Sequence, residues 1–124
     1  MVRPWLLLLV DDDPVFRSLA TRILTDLGIE LIAQAATAAA ARAEANRLRP
    51  AAALVDVGLP DGDGVELAHQ LAALPWHPAV VITSADRDVA AGLKLSSLHG
   101  PHVFIPKDEV PDAPWRRLLR VDAI

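Results

Sequence analysis

The chain has 124 residues and a mass of 13.3 kDa, which suits one core and one domain spanning residues 1–124. Apolar residues make up 52% and charged residues 23%, and the net charge of −4 argues against direct nucleic-acid binding by this domain. Without cysteine there is neither a disulfide framework nor a thiolate metal site, which fits a reducing cytoplasm.

Residues 5–10 are a continuous apolar run, as expected of a central strand buried on both faces. The run is too short for a signal peptide and is followed by acids, and no stretch is long enough to span a membrane. Asp11, Asp12 and Asp13 close it. Pro14 suits the first position of a helix, with Asp13 as N-cap. Val15, Phe16, Leu19, Ala20, Ile23, Leu24 and Leu27 recur at helical spacing, and Gly28 stops the helix.

Residues 29–33 read as a weaker strand. The Ala-rich segment 37–48 favours a second helix, ended by Pro50. Residues 51–55 are small and branched apolar residues leading to Asp56, so a third buried strand is expected there. Gly58, Pro60, Asp61, Gly62 and Gly64 mark a turn. Asp63 and Glu66 have the spacing of a capping box, with Val65, Leu67, Ala68, Leu71 and Leu74 as the apolar side of a third helix. Residues 75–78 are a loop and 79–83 a fourth buried strand. Residues 86–98 suggest a fourth helix, weakened by Gly92. Gly100 and Pro101 form a turn, residues 103–105 a short fifth strand, and Trp115, Leu118 and Leu119 a brief last helix. Trp5, Trp76 and Trp115 are expected to be packing anchors. His69, His77, His99 and His102 have no ligand spacing and read as surface or loop residues.

Strands alternating with helices imply a parallel sheet covered on both faces, and five strands in this length suit a three-layer, doubly wound α/β fold rather than a closed barrel. All strands of such a sheet end at one edge, where open α/β sheets bind ligands. Asp11, Asp12, Asp56, Thr83 and Lys107 each follow an apolar run and are expected to meet there. Neighbouring carboxylates repel unless a cation intervenes, and Mg2+ is the natural partner for such oxygen ligands. An aspartate can attack phosphorus to form an acyl phosphate, while a metal and a lysine neutralise the equatorial oxygens. Taken singly, Asp13, Asp61 and Asp63 read as caps or turn residues, Thr83 as an ordinary strand residue and Lys107 as a solvated one.

Four segments together resemble the receiver domain of bacterial two-component response regulators. Residues 7–14, with Arg17 five positions after Asp12, are similar to the family's first-strand motif. Residues 55–64 resemble its phosphoacceptor segment, residues 81–85 its switch-threonine segment, and residues 104–107 its lysine segment. The resemblance covers nearly the whole chain and implies a (βα)5 flavodoxin-like sheet of order 2-1-3-4-5.

The resemblance also implies roles. Asp56 is the expected phosphoacceptor. Asp12 is a direct Mg2+ ligand, Asp11 acts mostly through water, and the main-chain carbonyl of Gly58 is a third protein ligand. Thr83 hydrogen-bonds the phosphoryl group, Lys107 pairs with it, and Phe104 is the switch aromatic, expected to turn inward on phosphorylation. The donor is a sensor histidine kinase or histidine phosphotransfer protein. The readout face is helix four, strand five and helix five, open to an output partner or a second copy. The chain is cytoplasmic, and is either a stand-alone receiver or one excised from a regulator with a DNA-binding output domain. Pro106 precedes Lys107 and Asp108 follows it, where the family often has proline after the lysine. Gly58 and Ala85, at positions that influence water attack in the family, carry no side chain to orient a water, so slow self-dephosphorylation is expected.

Two other classes compete. Residues 11–15 also fit the first motif of haloacid dehalogenase-like phosphohydrolases, with Asp11 as nucleophile, Asp13 as general acid/base, and Thr83 or Ser84 and Lys94 or Lys107 in later roles. That scheme lacks a late acidic motif and leaves Asp56 unexplained. The other class is a receiver-like interaction module that never carries phosphate, although such modules usually lack one of the residues retained here.

Overall fold

Leu6, Leu7, Leu8, Leu9 and Val10 are all buried, none more than 5% exposed, although successive side chains of a strand point to opposite faces. The run therefore has to be covered from both sides. In the computed structural model, which describes residues 3–29, 31–86 and 103–119, it belongs to β1 (Arg3–Val10). There follow α1 (Pro14–Asp26), β2 (Leu31–Ala35), α2 (Ala38–Leu48), β3 (Pro50–Asp56), α3 (Gly64–Ala72), β4 (Ala79–Ser84) and β5 (Val103–Pro106). A 3-10 turn (Lys107–Asp112) and a last helix (Trp115–Leu118) complete the described elements.

All five strands pair in parallel in the order β2-β1-β3-β4-β5. Leu8, Val10, Ala53, Val55, Val80 and Ile82 face one core layer with residues of α2 and α3. Leu7, Leu9, Ala52, Leu54, Ala79 and Val81 face the other, with Phe16, Ala20 and Leu24 of α1 and Val110, Trp115 and Leu119. This is the expected three-layer, doubly wound α/β fold. Each fully buried leucine contributes roughly 1.5–3 kcal/mol, so the sheet core is the main source of stability.

The second strand differs from expectation: it runs Leu31–Ala35 rather than 29–33. Gly28 adopts φ 100°, its N–H donates to the Thr25 carbonyl at 2.9 Å, and the Ile29 N–H donates to the Leu24 carbonyl at 3.2 Å. This pair of bonds closes α1 in a Schellman motif and commits Ile29 to the helix end. The other differences are smaller. Thr37 lies outside α2 as its N-cap, accepting from the Ala40 N–H at 3.1 Å. Pro50 opens β3 after a left-handed Arg49 (φ 49°). α3 ends at Ala72, before Leu74.

Asp63 caps α3, but the capping box is not formed: Asp63 accepts from the Val65 N–H at 2.8 Å rather than from the Glu66 N–H, and Glu66 makes no reciprocal bond. Trp115 is 2% exposed, and its indole N–H donates to the Val110 carbonyl at 2.8 Å. The Trp76 indole N–H donates to the Pro50 carbonyl at 2.8 Å, with the Arg49 guanidinium 5.5 Å from its ring. The expected fourth helix (86–98, with Gly92 and Lys94), the turn at Gly100 and Pro101, His99, His102 and the Trp5 side chain lie outside the described residues, apart from Asp86.

Candidate functional site

The parallel register determines what meets at the C-terminal edge of the sheet. Asp56, the last residue of β3, is paired with Thr83 on β4, and Thr83 is paired with Ile105 on β5. Asp11 continues β1, its N–H donating to the Ala35 carbonyl at 3.0 Å. Lys107 follows the end of β5. Residues from four strands are thus gathered without any of them being close in sequence.

Asp11 is fully buried and Asp56 is 7% exposed, whereas Asp12 is exposed. One carboxylate oxygen from each of Asp11, Asp12 and Asp56 lies within 4.8 Å of the other two. The Lys107 ammonium stands 2.8 Å from Asp11 Oδ2 and 3.7 Å from Asp56 Oδ1. The shorter contact is an ion pair without the directionality of a hydrogen bond. Asp11 Oδ1 accepts from the Asp13 N–H at 2.8 Å, and Arg17 Nη1 donates to the Asp11 carbonyl at 2.6 Å.

Burial pushes the Asp56 carboxyl above the usual carboxylate range. The Asp11 charge adds to the rise, while Lys107 and the Gly58 N–H oppose it. One ammonium against three carboxylates leaves the cluster negative. A small divalent cation with oxygen preference fits that balance, and Mg2+ has this ligand chemistry. Gly58 opens a short hairpin, Gly58–Leu59 against Gly62–Asp63. A Cβ on Gly58 would be 3.8 Å from Asp56 Oδ2, so its main chain runs directly beside the carboxylate.

Thr83 is fully buried, and its Oγ1 has no hydrogen-bond partner among the described residues. Such a hydroxyl usually costs roughly 1–3 kcal/mol, so a buried orphan at this edge points to a missing acceptor. Ser84 is different: its Oγ accepts from the Asp86 N–H at 3.1 Å and donates to the Asp86 carbonyl at 3.4 Å. Phe104 is already buried, 5% exposed and packed in the core layer with Ile82. The inward turn expected on phosphorylation therefore has no outward starting point here. Asp13 Oδ1 caps α1 by accepting from the Val15 N–H at 2.9 Å. His69 and His77 are exposed.

Three positions gain importance only in the structure. The Phe16 ring centroid is 4.5 Å from Lys107 Nζ. Asp61, expected to serve only a local turn or cap, accepts from the N–H groups of Ala38 at 2.7 Å and Ala39 at 3.0 Å, at the start of α2. Gly64 packs against the Asp56 backbone. The turn-rich sequence hinted at Gly64, but no local signal pairs Phe16 with Lys107 or Asp61 with α2.

The response regulator receiver domain model matches residues 7–113. A protein-glutamate methylesterase/protein-glutamine glutaminase of Xanthomonas oryzae pv. oryzae is 36% identical over 109 residues, covering 86% of this chain and 30% of that protein. One from Anaeromyxobacter dehalogenans is 37% identical over 120 residues, covering 95% of this chain and 35% of that protein. The chain thus spans about a third of the length of these curated relatives. Among solved structures, a CheY-like response regulator receiver domain protein from Methanospirillum hungatei superposes with a TM-score of 0.71 at 23% identity, covering 99% of this chain and 93% of that one. The chemotaxis response regulator CheY4 of Vibrio cholerae superposes with a TM-score of 0.72 at 18% identity, covering 92% and 98%. These two structures support the fold. No described helix is long and apolar enough to cross a membrane.

Proposed function

The chain belongs to the response regulator receiver domain family, and from that premise we propose that it accepts a phosphoryl group on Asp56 in two-component signalling. The observation that carries this reading is the cluster at the sheet edge: nearly buried Asp56 beside Asp11, Asp12 and Lys107, with the unpartnered Thr83 hydroxyl on the neighbouring strand.

In this reading an Asp56 carboxylate oxygen attacks the phosphorus of a phosphohistidine on a sensor histidine kinase or phosphotransfer protein. The new O–P bond forms as the P–N bond breaks, and the imidazole leaves with the bonding electron pair and takes up a proton. Asp11, Asp12, Asp56 and the Gly58 main-chain carbonyl would hold Mg2+, which would supply charge neutralisation at the phosphoryl oxygens. Lys107 supplies a second cation, and the Thr83 hydroxyl donates to the phosphoryl group.

The added charge of roughly −1.5 to −2 then biases a pre-existing equilibrium. Because Phe104 is already inward, phosphorylation favours this arrangement rather than creating it. The expected readout face is residues 86–98, β5 and the last helix, available to an output partner or a second copy. We read the domain as a cytoplasmic signalling module, alone or within a longer protein, without methylesterase or glutaminase chemistry of its own. Slow loss of the phosphoryl group is expected from Gly58 and Ala85.

The test is intact mass and peptide mapping after incubation with Mg2+ and acetyl phosphate, beside Asp56→Asn. One phosphoryl on Asp56, absent in the variant, is expected. Modification at Asp11 would instead support a phosphohydrolase, and no adduct with any donor would support a phosphate-independent module.

A further inference from the structure

We propose that Phe16 is a positioning residue for Lys107: its ring face seats the ammonium between Asp11 and Asp56. The inference rests on the reading of Asp56 as phosphoacceptor.

Lys107 begins the 3-10 turn beyond β5, and a lysine ammonium on a flexible four-carbon stem takes its position from what surrounds it. Among the described residues, three groups surround this one: Asp11 Oδ2 at 2.8 Å, Asp56 Oδ1 at 3.7 Å and the Phe16 ring centroid at 4.5 Å. The ring distance is within the range of a cation–π contact. Phe16 is itself held: it is 7% exposed and packs in the core layer with Leu9, Ala20 and Val81. The ring is therefore a fixed wall, against which a four-carbon stem with several rotatable bonds can settle.

A ring attracts a cation through its quadrupole but carries no formal charge. A carboxylate in place of the ring would also hold the ammonium, but as a fourth acid it would offset its charge and make the cluster more negative. Phe16 keeps the positive charge near Asp56 and leaves it available to a phosphoryl oxygen. Without the ring, the closer Asp11 carboxylate would dominate, and the lysine would spend less time facing Asp56. Phe16 thus couples the first turn of α1 to the reacting end of β3.

The test compares the 124-residue wild-type chain with Phe16→Leu and Phe16→Tyr. Phosphorylation by acetyl phosphate at saturating Mg2+ should slow about 2- to 5-fold in Phe16→Leu and recover in Phe16→Tyr, as expected for a contact of this class. Mg2+ affinity, measured by calorimetry, should change less than the rate. The independent readout is NMR without metal: the Lys107 ε-methylene protons should be shifted upfield by the ring in wild type and Phe16→Tyr, and return to ordinary lysine positions in Phe16→Leu. Ordinary Lys107 shifts in a wild type that is phosphorylated normally would overturn the proposal about Phe16 alone. So would equal slowing in both variants with the ring shift retained in Phe16→Tyr, which is the signature of core packing. A wild type that takes no phosphoryl on Asp56 would instead overturn the reading of the site, and the proposal with it. Should Phe16→Leu fail to fold, the wild-type and Phe16→Tyr spectra still decide the placement.

Discussion

Gly64 and Asp56 are packed backbone to backbone. A Cβ on Gly64 would overlap the Asp56 carbonyl oxygen and stand 2.7 Å from Val57 Cα, and the Gly64 N–H donates to the Val57 carbonyl at 3.1 Å. The start of α3 therefore fixes the end of β3, where the proposed acceptor lies. Gly64→Ala should lose stability at or above the upper end of the roughly 1–3 kcal/mol typical of overpacking, because backbone rather than a flexible side chain must move. Gly58→Ala, whose Cβ would meet Asp56 Oδ2 only at 3.8 Å, should stay within about 0.5 kcal/mol of wild type. Urea denaturation of the two variants is the check, and equal losses would contradict the close packing at Gly64.

Thr83 should be a place where function costs stability. Its Oγ1 is buried without a partner, so the isosteric Thr83→Val change removes an unsatisfied hydroxyl and should stabilise the unmodified protein by about 1 kcal/mol. The same change should weaken the response to phosphorylation, because the proposed phosphoryl contact is lost. A less stable Thr83→Val protein would mean that the hydroxyl has a partner in solution.

The charge on Asp56 should be unfavourable to folding at neutral pH. Burial, reinforced by Asp11, raises its folded-state pKa above the unfolded value of about 3.9. A raised carboxyl contributes stability that is present below the unfolded pKa and is lost as pH rises through the folded one. Asp56→Asn should therefore be more stable than wild type at pH 7, and the difference should shrink on acidification towards pH 4. Mg2+ should stabilise wild type, by about 2.7 kcal/mol at 100 times its Kd, and Asp56→Asn less. Thermal melts across pH, with and without Mg2+, measure both effects.

Asp61 should behave with the opposite sign. The N–H groups of Ala38 and Ala39 hold its carboxyl below the usual range. Its contribution is present above the unfolded pKa and lost as pH falls through the folded one. Asp61→Ala should melt earlier than wild type at pH 7, with the gap closing in acid. Amide hydrogen exchange should quicken at Ala38 and Ala39, the two donors that lose their acceptor. Unchanged exchange there would show that Asp61 does not tie the loop to α2.

The strands were legible where burial acts on both faces. Residues 5–10, 51–55 and 79–82 are unbroken apolar runs because a parallel sheet leaves neither face wet. The convergence of Asp11, Asp56, Thr83 and Lys107 followed from the same reasoning, since parallel strands all end at one edge. The start of β2 was not legible: Ile29 is apolar enough for a strand, and the Schellman closure after Gly28 decided otherwise. The spacing of Asp63 and Glu66 permits a capping box without requiring one, and Asp63 instead caps through the Val65 N–H. The resemblance implies that Phe104 turns inward on phosphorylation, and only the packing shows that its ring already lies in the core layer.

What the sequence determined by itself was periodicity and order: which segments are buried, where each one ends, and which acids and which lysine follow those ends. It took the packing of whole layers to bring Phe16 against Lys107, to set Asp61 on a helix begun more than twenty residues earlier, and to leave no room for a side chain at Gly64 beside Asp56. Local patterns report on neighbours along the chain, through turn chemistry and the strand and helix periods. Contacts between distant segments depend on how whole layers pack, and the same residues satisfy their local rules whether or not those contacts form.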